Sequence, residues 1–292
     1  MKLTIHLSLA LGAMVTFAGA PYAQADVPIP PLPEFTKSDP DAYGTELALY
    51  QDSYDQGYVD EVLSGTMTLY DGDGDSVRRA FSRLLYERPG EGHKLITKFL
   101  SPAEIKGVAA LTHENPGSSD DSWLYLPANK RVRRISGANN SASFQGTEFT
   151  YEDLGTLDPR EYEWRFLEET TLEKDGESVP VFKLRARPTY DDTAYSHLIV
   201  YFHTTGWRRE RTEFFDKSGK HLKTLEFGKW QHTHDRFWRP LAMDMSNHLT
   251  GKRTTLDVKA YLVDLKRYKS SKTGKARTNL TEDMFTTRAL EG

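Results

Sequence analysis

From about residue 62 onward the chain alternates apolar and polar positions in short runs separated by polar, glycine-bearing turns. The runs 62–70, 77–86, 94–100, 108–112, 122–126, 131–136, 164–173, 179–186, 197–203, 209–216, 221–227, 237–246 and 254–265 all carry strand character. Asp71-Gly72-Asp73-Gly74 joins the first two, and Lys217-Ser218-Gly219 marks a hairpin turn between two later ones. Many short strands with such turns predict an antiparallel sandwich or barrel. No βαβ rhythm points to a parallel sheet, and no linker divides the strand region, so 39–292 reads as one domain.

The segment ahead of the strands has a different period. Asp39-Pro40 supplies an N-cap and a proline at the first helical position. Tyr43, Leu47, Tyr50 and Tyr54 then follow helical spacing, which predicts a helix over 42–56. Such a stripe is core packing or a lid laid over a hydrophobic cavity. Upstream, Pro28-Ile29-Pro30-Pro31-Leu32-Pro33 lacks the amide donors for helix or sheet and reads as an extended spacer within 26–38.

The first 25 residues carry an address. Lys2, the apolar stretch 3–17 and Ala23-Gln24-Ala25 form a secretory signal. Cleavage is expected after Ala25, because Pro21 would block a cut after Ala20. The apolar run is shorter than the ~20 residues a membrane span needs, and no later stretch approaches that length. The expectation is a bacterial periplasmic protein that is not an integral membrane protein.

Charge and cysteine content narrow the partners. With 38 basic and 42 acidic side chains, the chain has no overall attraction for nucleic acid or anionic membranes. The absence of cysteine excludes disulfides, thiol catalysis, thiolate metal sites and a lipid anchor on a cysteine after the signal.

Few residues suggest chemistry. Asp71-Gly72-Asp73-Gly74-Asp75 begins like a calcium loop, but Ser76 and Ser82 stand where that loop needs glycine and a bidentate glutamate, so a solvated turn is expected. His232 and His234 share one face of a short run without a third ligand at metal-site spacing, and exposed loop histidines are expected. No nucleophile elbow, P-loop or dinucleotide fingerprint occurs, so neither an enzyme nor a cofactor is expected.

The stretch WLYLPANKRVRRIS, Trp123 to Ser136, places aromatics beside four cations, the mixture found on single-stranded nucleic-acid platforms. Strand geometry argues against that use. Arg131 and Arg133 point to one face while Lys130 and Arg134 point to the other. The cluster reads instead as a hairpin whose Arg131, Arg133 and Arg134 pair with Glu148, Glu152 and Asp153.

FLSPAEIKG (99–107), WLYLPANKRVRRIS (123–136), SFQGTEFTYEDL (143–154), KTLEF (223–227) and the terminal Phe285 and Leu290 occur in this order. Together they resemble the outer-membrane lipoprotein-sorting proteins, relatives of LolA. The resemblance spans nearly the whole chain after residue 38. It implies an incomplete, strongly curved antiparallel β-barrel whose open mouth is covered by helices. It also implies a hollow that carries acyl chains of a lipid or lipoprotein across the periplasm without making or breaking bonds. A second function in view is an accessory subunit of an inner-membrane exporter of the resistance-nodulation-division (RND) type, docking on protein instead of carrying lipid.

The cavity wall is expected to include Trp123, Tyr125, Phe144, Phe149, Tyr151 and Leu154, an aromatic-rich stretch in a Gly-rich, irregular region where a barrel mouth would sit. Core packing is the plain alternative for each. Leu47 and Tyr50 are expected on the lid. In LolA an arginine of an Arg-Pro pair at a strand end bonds to the helical lid, and Arg88-Pro89 is similar; pairing of Arg88 with Glu87 or Glu91 is the other possibility.

Overall fold

A computed structural model describes residues 29–136, 139–264 and 280–291. The expected signal peptide and its cleavage site lie outside these residues.

The helix α1, Pro40–Asp55, begins where the cap predicts: Asp39 accepts hydrogen bonds from the amides of Asp41 and Ala42, with proline at the first position. Its buried residues include Tyr43, Leu47 and Tyr50, the stripe seen in the sequence.

Thirteen strands follow. β1 (Asp60–Tyr70), β2 (Ser76–Tyr86), β3 (Lys94–Ser101), β4 (Ala109–Asn115), β5 (Ser118–Leu126) and β6 (Arg131–Ile135) form a meander, each hydrogen-bonded to the next. After a non-strand crossover, β7 (Tyr162–Lys174), β8 (Glu177–Pro188), β9 (Tyr195–His203), β10 (Arg209–Asp216), β11 (His221–Thr233), β12 (Phe237–Asn247) and β13 (Arg253–Asp264) form a second meander. The two join where β13 pairs antiparallel with β1, giving one sheet in the order β6-β5-β4-β3-β2-β1-β13-β12-β11-β10-β9-β8-β7. β6 and β7 are its edges and do not pair, so the barrel is left open.

That open side is filled from inside the chain. The crossover between β6 and β7 and the helix α1 both pack into the main core, which holds Leu47, Phe99, Phe144, Leu154, Phe182, Val200 and Met245. α1 lies on β7 so closely that a Cβ at Gly44 would sit 2.5 Å from the Phe166 backbone nitrogen. Among the described residues this is the one α-helix, and short 3₁₀ turns and the crossover complete the cover that the resemblance assigned to several helices.

A second, smaller core lies on the opposite face of the sheet. Ile96, Leu111 and Tyr125 there are covered by Leu280, Phe285 and Leu290 of the C-terminal segment. The sheet is therefore packed on both faces over β1–β6, which explains why several of its strands are apolar at consecutive positions.

Candidate ligand-binding cavity

The inner face of the sheet, the end of α1 and the crossover enclose a cavity of about 250 Å³. Its apolar wall comes from alternate residues, which in a strand share a face. Phe81 and Leu85 of β2, Leu63 and Met67 of β1, Leu225 and Phe227 of β11, Met243 of β12 and Leu256 of β13 supply it. Register brings these together: Leu63 stands opposite both Arg83 and Tyr261, and Met67 opposite Leu256.

One end of the cavity is charged. Arg239, buried at 4 % exposure, forms ion pairs with Glu61 and, at 2.6 Å, with Asp55 of α1. Tyr261 donates its hydroxyl to the other oxygen of Glu61 at 2.8 Å. Arg236 donates to the carbonyls of Tyr54 and Ser53 at 2.8 and 2.9 Å. It thereby caps the last turn of a helix that has no basic residue there itself. Just beyond α1, the amide of Gly57 donates to Glu87 at 2.8 Å. Burial pushes the Glu87 carboxyl up to about 8, against that hydrogen bond. Asp52 of α1, also in the wall, is pushed up to about 6 by burial, opposed by the amide of Gln56 at 2.6 Å.

Arg83 and Arg209 reach the same cavity. Arg209 packs over the Phe227 ring at 4.8 Å. Burial lowers its guanidinium to about 10, and the neighbouring charge of Arg83 acts in the same direction. It still carries its proton at neutral pH.

The predicted site residues divide. Phe149, Leu154 and Asp153 line the cavity. Phe144 and Tyr151 stand behind that wall in the main core: Phe144 stacks on Phe99 at 5.3 Å and meets Tyr151 edge-on at 5.6 Å. Leu47 is fully buried, and Tyr50 meets Trp207 edge-on at 4.5 Å and donates to the Pro30 carbonyl. The part of α1 that faces the cavity is Gln51, Asp52, Tyr54 and Asp55, one turn later.

Trp123 and Tyr125 lie on the other side of the sheet, against the C-terminal segment, and Leu124 and Leu126 are the residues of β5 that join the main core. Trp-Leu-Tyr-Leu is apolar at every position, so the alternation has no readable phase there. Among the described residues Arg88 makes no hydrogen bond or ion pair with α1; it pairs with Glu91 at 2.5 Å and lies 3.6 Å from Glu282. The arginines that hold the helix are Arg236 and Arg239, contributed by the far meander.

The expected arginine–carboxylate network is also replaced. Arg134 pairs with Asp121, while Arg131 and Arg133 are exposed and make no ion pair among the described residues. Asp153 pairs with buried Lys223 at 2.6 Å, and Lys223 also donates to the Glu148 carbonyl. The Glu148 carboxylate accepts from Asn247, and Glu152 accepts from Tyr190, Thr193 and the Ala194 amide. The crossover passes inside the open barrel, so its carboxylates meet Lys223 of β11, Asn247 of β12 and the loop between β8 and β9 instead of the exposed arginines of β6.

The other candidates take plain roles. Asp71 accepts from the amides of Asp73 and Asp75 in the exposed β1–β2 turn. His232 stacks on Trp238 at 4.2 Å, within a β11 that runs further than the apolar pattern suggested, and His234 is hydrogen-bonded to the Val263 carbonyl. Arg83, Arg209, Arg239 and Glu61 were not anticipated as site residues. A cation between Phe81 and Leu85 was the available signal for Arg83. The rest depend on register across strands far apart in sequence.

One family model matches, over residues 91–292, and its description reads only "uncharacterized protein". A search of the curated proteins finds no match. Among solved structures, a Vibrio parahaemolyticus domain described as an outer membrane lipoprotein-sorting protein superposes with a TM-score of 0.76 at 33% identity, covering 85% of this chain and 98% of that one. A DUF1329 family protein from Desulfovibrio piger gives 0.74 at 26% identity, over 86% and 99%. A LolA superfamily protein from Nitrosomonas europaea gives 0.62 at 16% identity, over 84% and 98%, a likeness of fold. Open antiparallel sheet, inner helix and a similarity over 85% of the chain agree, and the chain belongs to the family of outer membrane lipoprotein-sorting protein domains.

Proposed function

We propose that this protein is a periplasmic carrier that takes an acyl chain of a lipid or lipoprotein into its cavity for passage towards the outer membrane. The observation that carries this reading is the cavity of about 250 Å³, walled by Leu63, Met67, Phe81, Met243 and Leu256 and roofed by a separate helix. Each methylene moved from water into such a wall contributes about 0.8 kcal/mol. A volume just under the ~300–1,000 Å³ common for ligand sites suits one tail, not several. Larger cargo would require α1 to swing out on the tether made by Arg236 and Arg239.

Displacement of a fluorescent fatty acid tests the reading. The wild type is expected to bind it, and Met243→Glu, which places a charge on the apolar wall from a part-exposed position, to weaken binding about tenfold or more while the fold persists. Trp123→Ala, on the opposite face, is expected to leave binding within about twofold. A wild type that binds no acyl species, by displacement and by native mass spectrometry, would falsify the carrier function.

A further inference from the structure

Within the charged end of the cavity, cations and anions are not matched one to one. Arg239 is engaged by Asp55 and Glu61, and Arg208 by Glu210 at 2.7 Å. Asp153 is engaged by Lys223 at 2.6 Å, by the Thr150 amide at 2.7 Å and by the Tyr195 hydroxyl at 2.7 Å. Asp52 accepts from the Gln56 amide at 2.6 Å and forms no ion pair among the described residues. Arg83 and Arg209 are left: the side chain of neither makes an ion pair or a hydrogen bond to another described residue. They project from β2 and β10, one in each meander, near enough for the charge of Arg83 to act on the Arg209 guanidinium.

Two part-buried guanidiniums that no carboxylate meets at ion-pair distance leave their donors free for a ligand, although Asp153 and Asp55 favour the charge of Arg209 from further off. Each presents a fork of donors that suits a carboxylate or a phosphate. Beside them the wall is apolar, with Phe81 one alternate position from Arg83 and Phe227 under Arg209.

We infer that the cavity is a site for a single-chain anionic amphiphile, its carboxylate or phosphate held between Arg83 and Arg209 and its tail laid along Phe81, Leu63 and Met67. This rests on the carrier reading and specifies its cargo: the head group enters with the tail, and the protein selects for charge as well as for hydrophobicity.

The experiment is calorimetric titration of the full chain with dodecanoate, dodecyl phosphate and dodecanol, each below its aggregation concentration. Dodecanoate or dodecyl phosphate is expected to bind about ten- to a hundredfold more tightly than dodecanol, the worth of a charge-assisted hydrogen-bond pair. The stronger of the two anions identifies the head group as carboxylate or phosphate. In the double variant Arg83→Gln/Arg209→Gln the anion preference is expected to vanish while dodecanol still binds. Its melting temperature is expected to equal or exceed that of the wild type, because two charges without an ion-pair partner are gone. Equal binding of the anions and dodecanol by the wild type overturns the inference and leaves the carrier reading standing; binding of none of the three overturns both. Should the double variant fail to fold, the wild-type comparison alone decides. A preference that survives in a folded double variant also overturns the inference.

Discussion

Lys223 and Asp153 show how much a single pair can matter when both groups are out of water. Their side chains are 2 % and 4 % exposed and 2.6 Å apart, and the Lys223 ammonium also lies over the rings of Tyr195 and Phe214. Such a pair adds little over a matched apolar replacement, but breaking it strands a charge, at a cost of about 3–5 kcal/mol. Lys223→Met is therefore expected to lower the unfolding free energy from urea denaturation by that much. Arg133→Glu, on the exposed edge strand, is expected to change stability by no more than about 0.5 kcal/mol. Comparable losses from both variants would overturn the assignment of the pairs. The cation-rich WLYLPANKRVRRIS drew attention because its charges are adjacent in sequence. The pair that anchors the crossover joins residues 70 positions apart and is silent in any local window.

At the level of elements, the period-two pattern was readable almost everywhere. All thirteen strands and the capped helix fall where alternation and turn chemistry place them, with ends moved by a few residues. What local pattern could not supply was phase and partner. Trp123 and Tyr125 sit in a strand apolar on both faces, and only the C-terminal segment packed on the outside shows which face is inner. Likewise Arg236, not Arg88, caps the helix, because strand order brings the start of β12 to the end of α1. The contact of α1 with β7 makes a sharp prediction. Alanine favours an isolated helix over glycine by about 1 kcal/mol. At Gly44, however, its Cβ would meet backbone atoms of Arg165 and Phe166 at 2.5–2.9 Å. Gly44→Ala is expected to loosen α1, seen as faster amide exchange across 43–55 and a lower melting temperature. Unchanged exchange would show that the helix can ride further from the sheet.

Over the whole molecule, buried carboxyls set the pH dependence. Burial raises Glu87 from 4.5 to about 8, Glu161 from 4.5 to about 8, Asp120 from 3.8 to about 8 and Asp52 from 3.8 to about 6. Between the unfolded and folded values the native state holds protons that the unfolded chain has released. Stability from these groups therefore falls as pH rises from about 4 to about 8, then levels. Glu87→Gln keeps an acceptor for the Gly57 amide and removes one of these groups. It is expected to stabilise the protein at pH 8.5 and to change it little at pH 4.5, by urea denaturation; an equal effect at both would place the cause elsewhere.

The ladder between β1 and β13 has a consequence for how the chain reaches this form. Every other pairing in the sheet joins neighbours along the chain, whereas Leu63 meets Tyr261 across about 200 residues. Closing so long a loop carries an entropic penalty that grows only logarithmically with length, yet it must be met before any contact of the ladder returns free energy. Each meander can zip up from its own hairpins, and the seam between them is the late, slow event. The cavity, lined from both sides of that seam, comes into being only with it.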